Sequence, residues 1–262
     1  MYHVLWVNRQ LITRMSNREI VGRYRGSIMG LMWSFLTPLF MLAIYTFVFS
    51  VVFRARWGTG EDSKTQFAII LFAGLIIHTL FSDVINRAPK LVLENVNYVK
   101  KVVFPVEILP VVQLVTAAFH ALVSVFVLLA VSLVLNGAIP TTAIWFPLVV
   151  MPLLLLTLGL SWALASLGVY MRDIGQTIGL VTSAMLFLSP VFFPIQSLPP
   201  SMQSWMHLNP LTFIIEQSRA VLVRGHHPNW GGLLLYALVA TVVAWLGFAW
   251  FQKTRKGFAD VL

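Results

Sequence analysis

ILPVVQLVTAAFHALVSVFVLLAVSLVL, residues 108–135, carries one ionisable side chain, His120, in 28 positions. Wound as an α-helix at about 1.5 Å per residue, it reaches beyond the ~30 Å hydrocarbon core of a bilayer. Its apolar residues do not alternate with period two, which excludes a membrane β-barrel and leaves a helix solvated by lipid. Outward from this stretch, residues 31–53, 66–85, 144–170, 174–195 and 230–251 read the same way. Across all six, the only Asp, Glu, Lys, Arg or His are His78, Asp83 and His120. A water-soluble globule of 262 residues has no means of hiding so much apolar surface.

The expected fold is therefore an all-α integral membrane protein. It has six transmembrane helices, an N-terminal amphipathic interface helix, and a re-entrant helical hairpin before the last span. One transmembrane domain covers 1–262: a cytoplasmic interface helix and basic segment over 1–30, spans one to five over 31–195, an outer hairpin over 196–229, and the last span with a cytoplasmic tail over 230–262. Arg9, Arg14 and Arg18 interrupt the early apolar positions, so no cleavable signal peptide is expected and the first span serves as its own insertion signal.

Lys and Arg number 18 against 9 Asp and Glu, a net charge of +9. With both termini cytoplasmic, only Arg54, Arg56, Lys64, Arg219 and Arg224 fall outside, and the other basic residues gather inside. That asymmetry reads as topology and anionic-lipid contact rather than nucleic-acid binding. The absence of cysteine removes disulfides and thiolate chemistry together.

Between the spans, several segments carry possible chemistry. Val4, Val7, Leu11 and Met15 recur at helical spacing over 1–17, joined by Leu5 and Ile12, with Arg9, Gln10, Thr13, Ser16 and Asn17 opposite. Such a helix lies in the membrane interface. Arg23, Tyr24 and Arg25 follow at headgroup depth beside Gly26 and Ser27. Their plainest reading is positive-inside anchoring, and the sharper one is a bidentate clamp for a lipid phosphate or pyrophosphate. The loop 86–107, bounded by Pro89 and Pro105, reads as one or two short cytoplasmic helices, with docking to a partner preferred over simple adhesion to the membrane.

In 196–229, two apolar pieces bracketed by Pro199-Pro200, Asn209-Pro210 and Pro228 are each too short to span. A gate hairpin and a plain packing lid both fit them. Glu216 and Arg219 stand three apart on one helix, able to neutralise each other. His78, Asp83 and His120 are read as helix-packing hydrogen-bond groups. His226 and His227, adjacent in sequence, read as interfacial polar residues.

No G-x-x-x-x-G-K-[ST] phosphate loop occurs in the sequence, so any nucleotide motor is another subunit. Tyr45, Phe49, Phe187, Phe192 and Phe193 lie within spans. Packing accounts for aromatics in such places, and if they faced a channel their rings would suit the C–H faces of sugars. Glu61 and Asp62 resemble the acidic pair of polytopic lipid-linked sugar transferases, a more distant reading than solvated surface charge.

Three colinear blocks carry a family likeness: 23–27 with Gly30, Leu31, Trp33 and Pro38; 97–105 with Glu107 and Pro110; and Arg172-Asp173-Ile174 leading to 188–194 and Asn209-Pro210. Together they resemble the membrane subunits of ABC transporters that export bacterial surface polysaccharides. The resemblance implies a homodimer with two copies of a separate ATP-binding subunit, in the bacterial cytoplasmic membrane. ATP and Mg would be held by that subunit and no cofactor by this chain. The interface helix and Asn97, Tyr98, Val99, Lys100 and Lys101 would meet the motor. Arg23, Tyr24 and Arg25 would lie where a lipid-pyrophosphate-linked glycan enters, and Asn209, Glu216 and Arg219 would belong to the outer gate. O-antigen on undecaprenyl pyrophosphate is the favoured cargo, with capsular polysaccharide or teichoic acid as alternatives.

Overall fold

The computed structural model describes residues 2–52, 64–99 and 104–262. Glu61, Asp62, Lys100 and Lys101 lie outside them. Among the described residues all regular structure is helical.

The chain opens with α1 (Tyr2–Val7) and α2 (Arg9–Gly22). α3 (Trp33–Tyr45) runs into a wider π-type turn, Thr46–Val52. α4 (Lys64–Leu91) is followed by the short α5 (Val96–Val99), then by the long α6 (Leu109–Asn136) and α7 (Phe146–Tyr170). α8 (Ile174–Phe187), α9 (Pro200–Leu208) and α10 (Pro210–Leu222) precede the long α11 (Trp230–Thr254) and the terminal α12 (Phe258–Val261).

Among the described residues, five helical stretches are long and apolar enough to cross a membrane: Gly30–Phe49, Gln66–Leu91, Val106–Leu135, Thr141–Tyr170 and Trp230–Gly257. The stretch at 174–195, expected as one continuous span, the fifth of six, forms the 14-residue α8 and then an irregular segment. The cause is local: Pro190 and Pro194 lack the N–H that would continue the helix.

The loop 86–107 begins later than its composition suggests, because α4 continues through Leu91 with Pro89 in its final turn. Pro89 is a packing surface there: a Cβ on Gly168 of α7 would collide with its backbone. Pro110 sits in the first turn of α6, where its missing N–H is no loss. Gly137, at φ 72°, ends the same helix in the left-handed conformation, donating its N–H to the Leu133 carbonyl.

α4 is the central helix, packed against α6, α7, α8 and α10. α7 and α11 approach so closely that a Cβ on Gly159 would stand 2.6 Å from the Ala244 Cα. In lipid, where apolar faces gain nothing by leaving solvent, such small-residue contact is what holds helices together.

Candidate functional site

The basic end of the bundle is tied together by pairs distant in sequence. α2 lies on α6 with Ile12 and Ser16 buried. Ser16, expected on the polar face opposite Val4, Val7, Leu11 and Met15, is buried instead. Glu19 of α2 pairs with Arg87 of α4 at 2.7 Å. One residue earlier, Arg18 donates from Nη2 to the Tyr98 hydroxyl at 3.2 Å. The Tyr98 ring stacks on Phe104 at 4.4 Å, beside an exposed Asn97. Glu107 closes the loop: its buried carboxylate meets Arg255 at 2.7 Å, and its carbonyl accepts the Trp162 indole N–H at 2.9 Å. The helix and the loop expected to meet a motor are thus side by side.

Between α2 and the first span the chain turns through Gly26 (φ 87°) and Gly30 (φ 50°), conformations that side-chain-bearing residues resist. Trp33 Nε1 fastens the turn by donating to Ser27 Oγ at 2.9 Å. The turn delivers Tyr24 edge-on to His120, with ring centroids 5.9 Å apart and the hydroxyl 3.5 Å from Nδ1. Partial burial raises the Tyr24 pKa, so the phenol stays neutral at physiological pH.

Arg23, at the end of α2, lines a cavity of about 510 Å³ with Glu19, Asp83, Arg87, Gln113 and His120. A second cavity of about 240 Å³ adjoins it, sharing Asp83, Ala117 and His120 and reaching Pro38, Tyr45 and Ser124. Arg25 is exposed and is not among the residues lining either cavity. His78 lies elsewhere, its Nε2 3.1 Å from the Thr182 carbonyl, while Thr182 Oγ1 donates to Asn86 Oδ1 at 2.7 Å.

From Tyr45 a chain of rings continues the second cavity. Tyr45 meets Phe49 at 6.4 Å, Phe49 stacks on Phe192 at 5.6 Å, and Phe192 on Phe187 at 5.7 Å. Four of the five aromatics singled out from sequence therefore form one connected ladder. Phe193, half-buried, stands next to Phe192 outside these ring contacts.

α10 and its cap Asn209 hold the irregular segment that carries Phe192. Asn209 caps α10 by accepting the Leu211 N–H at 2.9 Å, and its Nδ2 donates to the Leu188 carbonyl and to Ser189 Oγ, both at 2.9 Å. Arg219 is completely buried. It donates from Nε to the Ile70 carbonyl at 3.0 Å, from Nη2 to the Val191 carbonyl at 2.9 Å, and from Nη1 to Glu216 at 2.9 Å. A Cβ on Gly74 would lie 2.8 Å from that Nη2, so the bare backbone of α4 there makes room for the guanidinium. Burial pulls the Arg219 pKa down to about 10 against the opposing influence of Glu216, and the group stays charged at neutral pH.

Reading the sequence missed Arg87, Glu19, Glu107 and Arg255 as site residues. The basic ones were counted toward topology, and their partners lie far along the chain, 148 positions for Arg255 and Glu107.

Comparison with known proteins finds relatives that match nearly the whole chain. The O-antigen export system permease protein RfbA of Myxococcus xanthus is 28% identical over 258 residues, 98% of this chain and 96% of that protein. A protein of the same name from Klebsiella pneumoniae is 23% identical over 253 residues, 96% and 95% of the two chains. The polysialic acid transport protein KpsM of Escherichia coli is 23% identical over 242 residues, 91% of each. The model of the ABC-2 type transporter family matches residues 10–223, most of the described helices, and the chain belongs to that family.

Proposed function

We propose that the chain is the channel-forming permease subunit of an ATP-driven exporter that moves lipid-linked polysaccharide across the bacterial cytoplasmic membrane, with O-antigen on undecaprenyl pyrophosphate as cargo. The observation that carries this reading is the run of two adjoining cavities into a ladder of aromatic rings, with Arg23 at one end and Phe187 at the other. Guanidinium groups at the mouth suit a phosphate. Ring faces beyond it suit sugar C–H faces without selecting one monomer. The names of the Myxococcus and Klebsiella relatives support O-antigen, and that of the Escherichia relative favours capsular polysaccharide as a second reading of the same mechanism.

Hydrolysis belongs to a separate ATP-binding subunit holding ATP and Mg, two copies with two of this chain. The absence of a phosphate loop from the sequence and the joint surface of α2 and α5 support that division. The chain crosses the membrane six times with both termini cytoplasmic. In this arrangement α8 and the segment after it form the fifth crossing, and α9 and α10 dip in from the outer side. The gathering of Arg18, Arg23, Arg87 and Arg255 at one end of the bundle supports this orientation.

Loss of the gene is expected to strip the cell surface of its polysaccharide while lipid-linked glycan accumulates inside, with both restored by the gene in trans. Undiminished surface glycan in the deletion strain would contradict the proposal.

A further inference from the structure

Sequence spacing pairs Arg23 with Arg25, but the fold pairs it otherwise. Arg23 and Arg87 line the same cavity, at the end of α2 and near the end of α4, while Arg25 is not part of that lining. Arg87 is engaged by Glu19 at 2.7 Å, with the Arg87 side chain half exposed and Glu19 less so. Glu19 Oε1, the oxygen facing Arg87, is itself buried yet makes no hydrogen bond, so the pair is a close contact of charges without a well-formed bond and is readily exchanged for one that has it. A pyrophosphate, with more charge and oxygens spaced for two parallel guanidinium bonds, competes for the same face of Arg87. Asp83 stands where this cavity joins the next, a negative group that disfavours an anion moving deeper in this arrangement.

We propose that Glu19 occupies the position on Arg87 that a lipid phosphate takes. The phosphate is then held by Arg23 and Arg87, and Glu19 is released when it arrives. The proposal deepens the export reading and rests on it for the identity of the lipid. Its consequence runs along α2. Glu19 and Arg18 are neighbours, and Arg18 is the residue bonded to Tyr98 in the loop beside the expected motor surface. Exchange of Glu19 for phosphate removes an ion pair that ties α2 to the end of α4, next to the Arg18 bond to α5, so occupancy of the cavity is felt at Tyr98.

The test measures binding of undecaprenyl pyrophosphate to the purified full-length chain in nanodiscs, with inorganic pyrophosphate and phosphatidylglycerol as competitors. Arg87→Gln should weaken binding roughly 10-fold or more, the loss of one charge-assisted bond. Glu19→Gln should tighten it several-fold, because the internal competitor is gone. Opposite shifts from the two halves of one ion pair are not what loss of a structural tether produces. Size-exclusion profiles matching the wild type establish that the variants are folded, and Arg87→Lys, which keeps the ion pair but not the fork, should also weaken binding. Displacement by inorganic pyrophosphate but not by phosphatidylglycerol assigns the phosphate to the cargo. Binding of phosphatidylglycerol alone, with the same opposite shifts, supports the exchange and removes the cargo reading. Wild-type affinity for undecaprenyl pyrophosphate that neither Glu19→Gln nor Arg87→Gln alters overturns the exchange and leaves the cargo reading standing. Absence of binding to any of the three probes also overturns the exchange.

Discussion

Arg219→Met is expected to destabilise the protein by about 3–5 kcal/mol, the usual range for breaking a buried charge pair from one side. The variant keeps much of the side-chain volume but leaves the Ile70 and Val191 carbonyls without their donor. It also leaves Glu216 with only Arg224, at 3.4 Å. Arg219→Lys keeps the charge without the fork that reaches three acceptors, and should lie between wild type and Met. Gly74→Ala approaches the same contact from α4 and should lower stability in the same direction. Thermal unfolding followed by fluorescence-detected size exclusion ranks these variants. A melting temperature for Arg219→Met within a degree or so of wild type would show that the buried guanidinium is not what holds α10 to the bundle.

The second large effect is expected at Tyr98. Tyr98→Lys removes the stack on Phe104 and sets a like charge against Arg18. If the half-buried phenol and exposed Asn97 form the centre of a docking surface, affinity for the ATP-binding subunit should fall about 30-fold, on the order of 2 kcal/mol for a central aromatic anchor. Export should fall with it, while the yield of the folded chain changes little. Pull-down of the ATP-binding subunit by the variant reads this directly, and wild-type recovery with wild-type export would place the motor contact elsewhere.

What the sequence disclosed follows from what each signal depends on. Long spans are legible because a bilayer tolerates few charges, and the boundaries of 108–135 and 144–170 agree with α6 and α7 to within a few residues. The Glu216 and Arg219 pair was legible because helical spacing brings i and i+3 together whatever the surroundings. Its depth was not, since nothing within α10 tells that Ile70 and Val191 will present carbonyls to the guanidinium. The break after α8 had a signal in Pro190 and Pro194, outweighed by the uniform apolarity of 174–195. The cavity was half legible: Arg23 stands in it, but its companion comes from α4, since the turn at Gly26 leaves Arg25 outside the lining. Pairings such as Arg18 with Tyr98, 80 positions apart, depend on how α2 settles on α6, which local periodicity does not encode.

The central claim, that this chain is the permease half of an ATP-driven glycan exporter, is tested most directly by reconstitution. The chain and its ATP-binding subunit are placed in liposomes with fluorescently tagged undecaprenyl-pyrophosphate-linked O-antigen on the side where the ATP-binding subunit sits. The account predicts that the glycan becomes accessible to a glycan-cleaving enzyme on the opposite side only when Mg-ATP is supplied, and that omitting either protein abolishes the movement. Movement at the same rate without ATP, or with the permease chain left out, would contradict it.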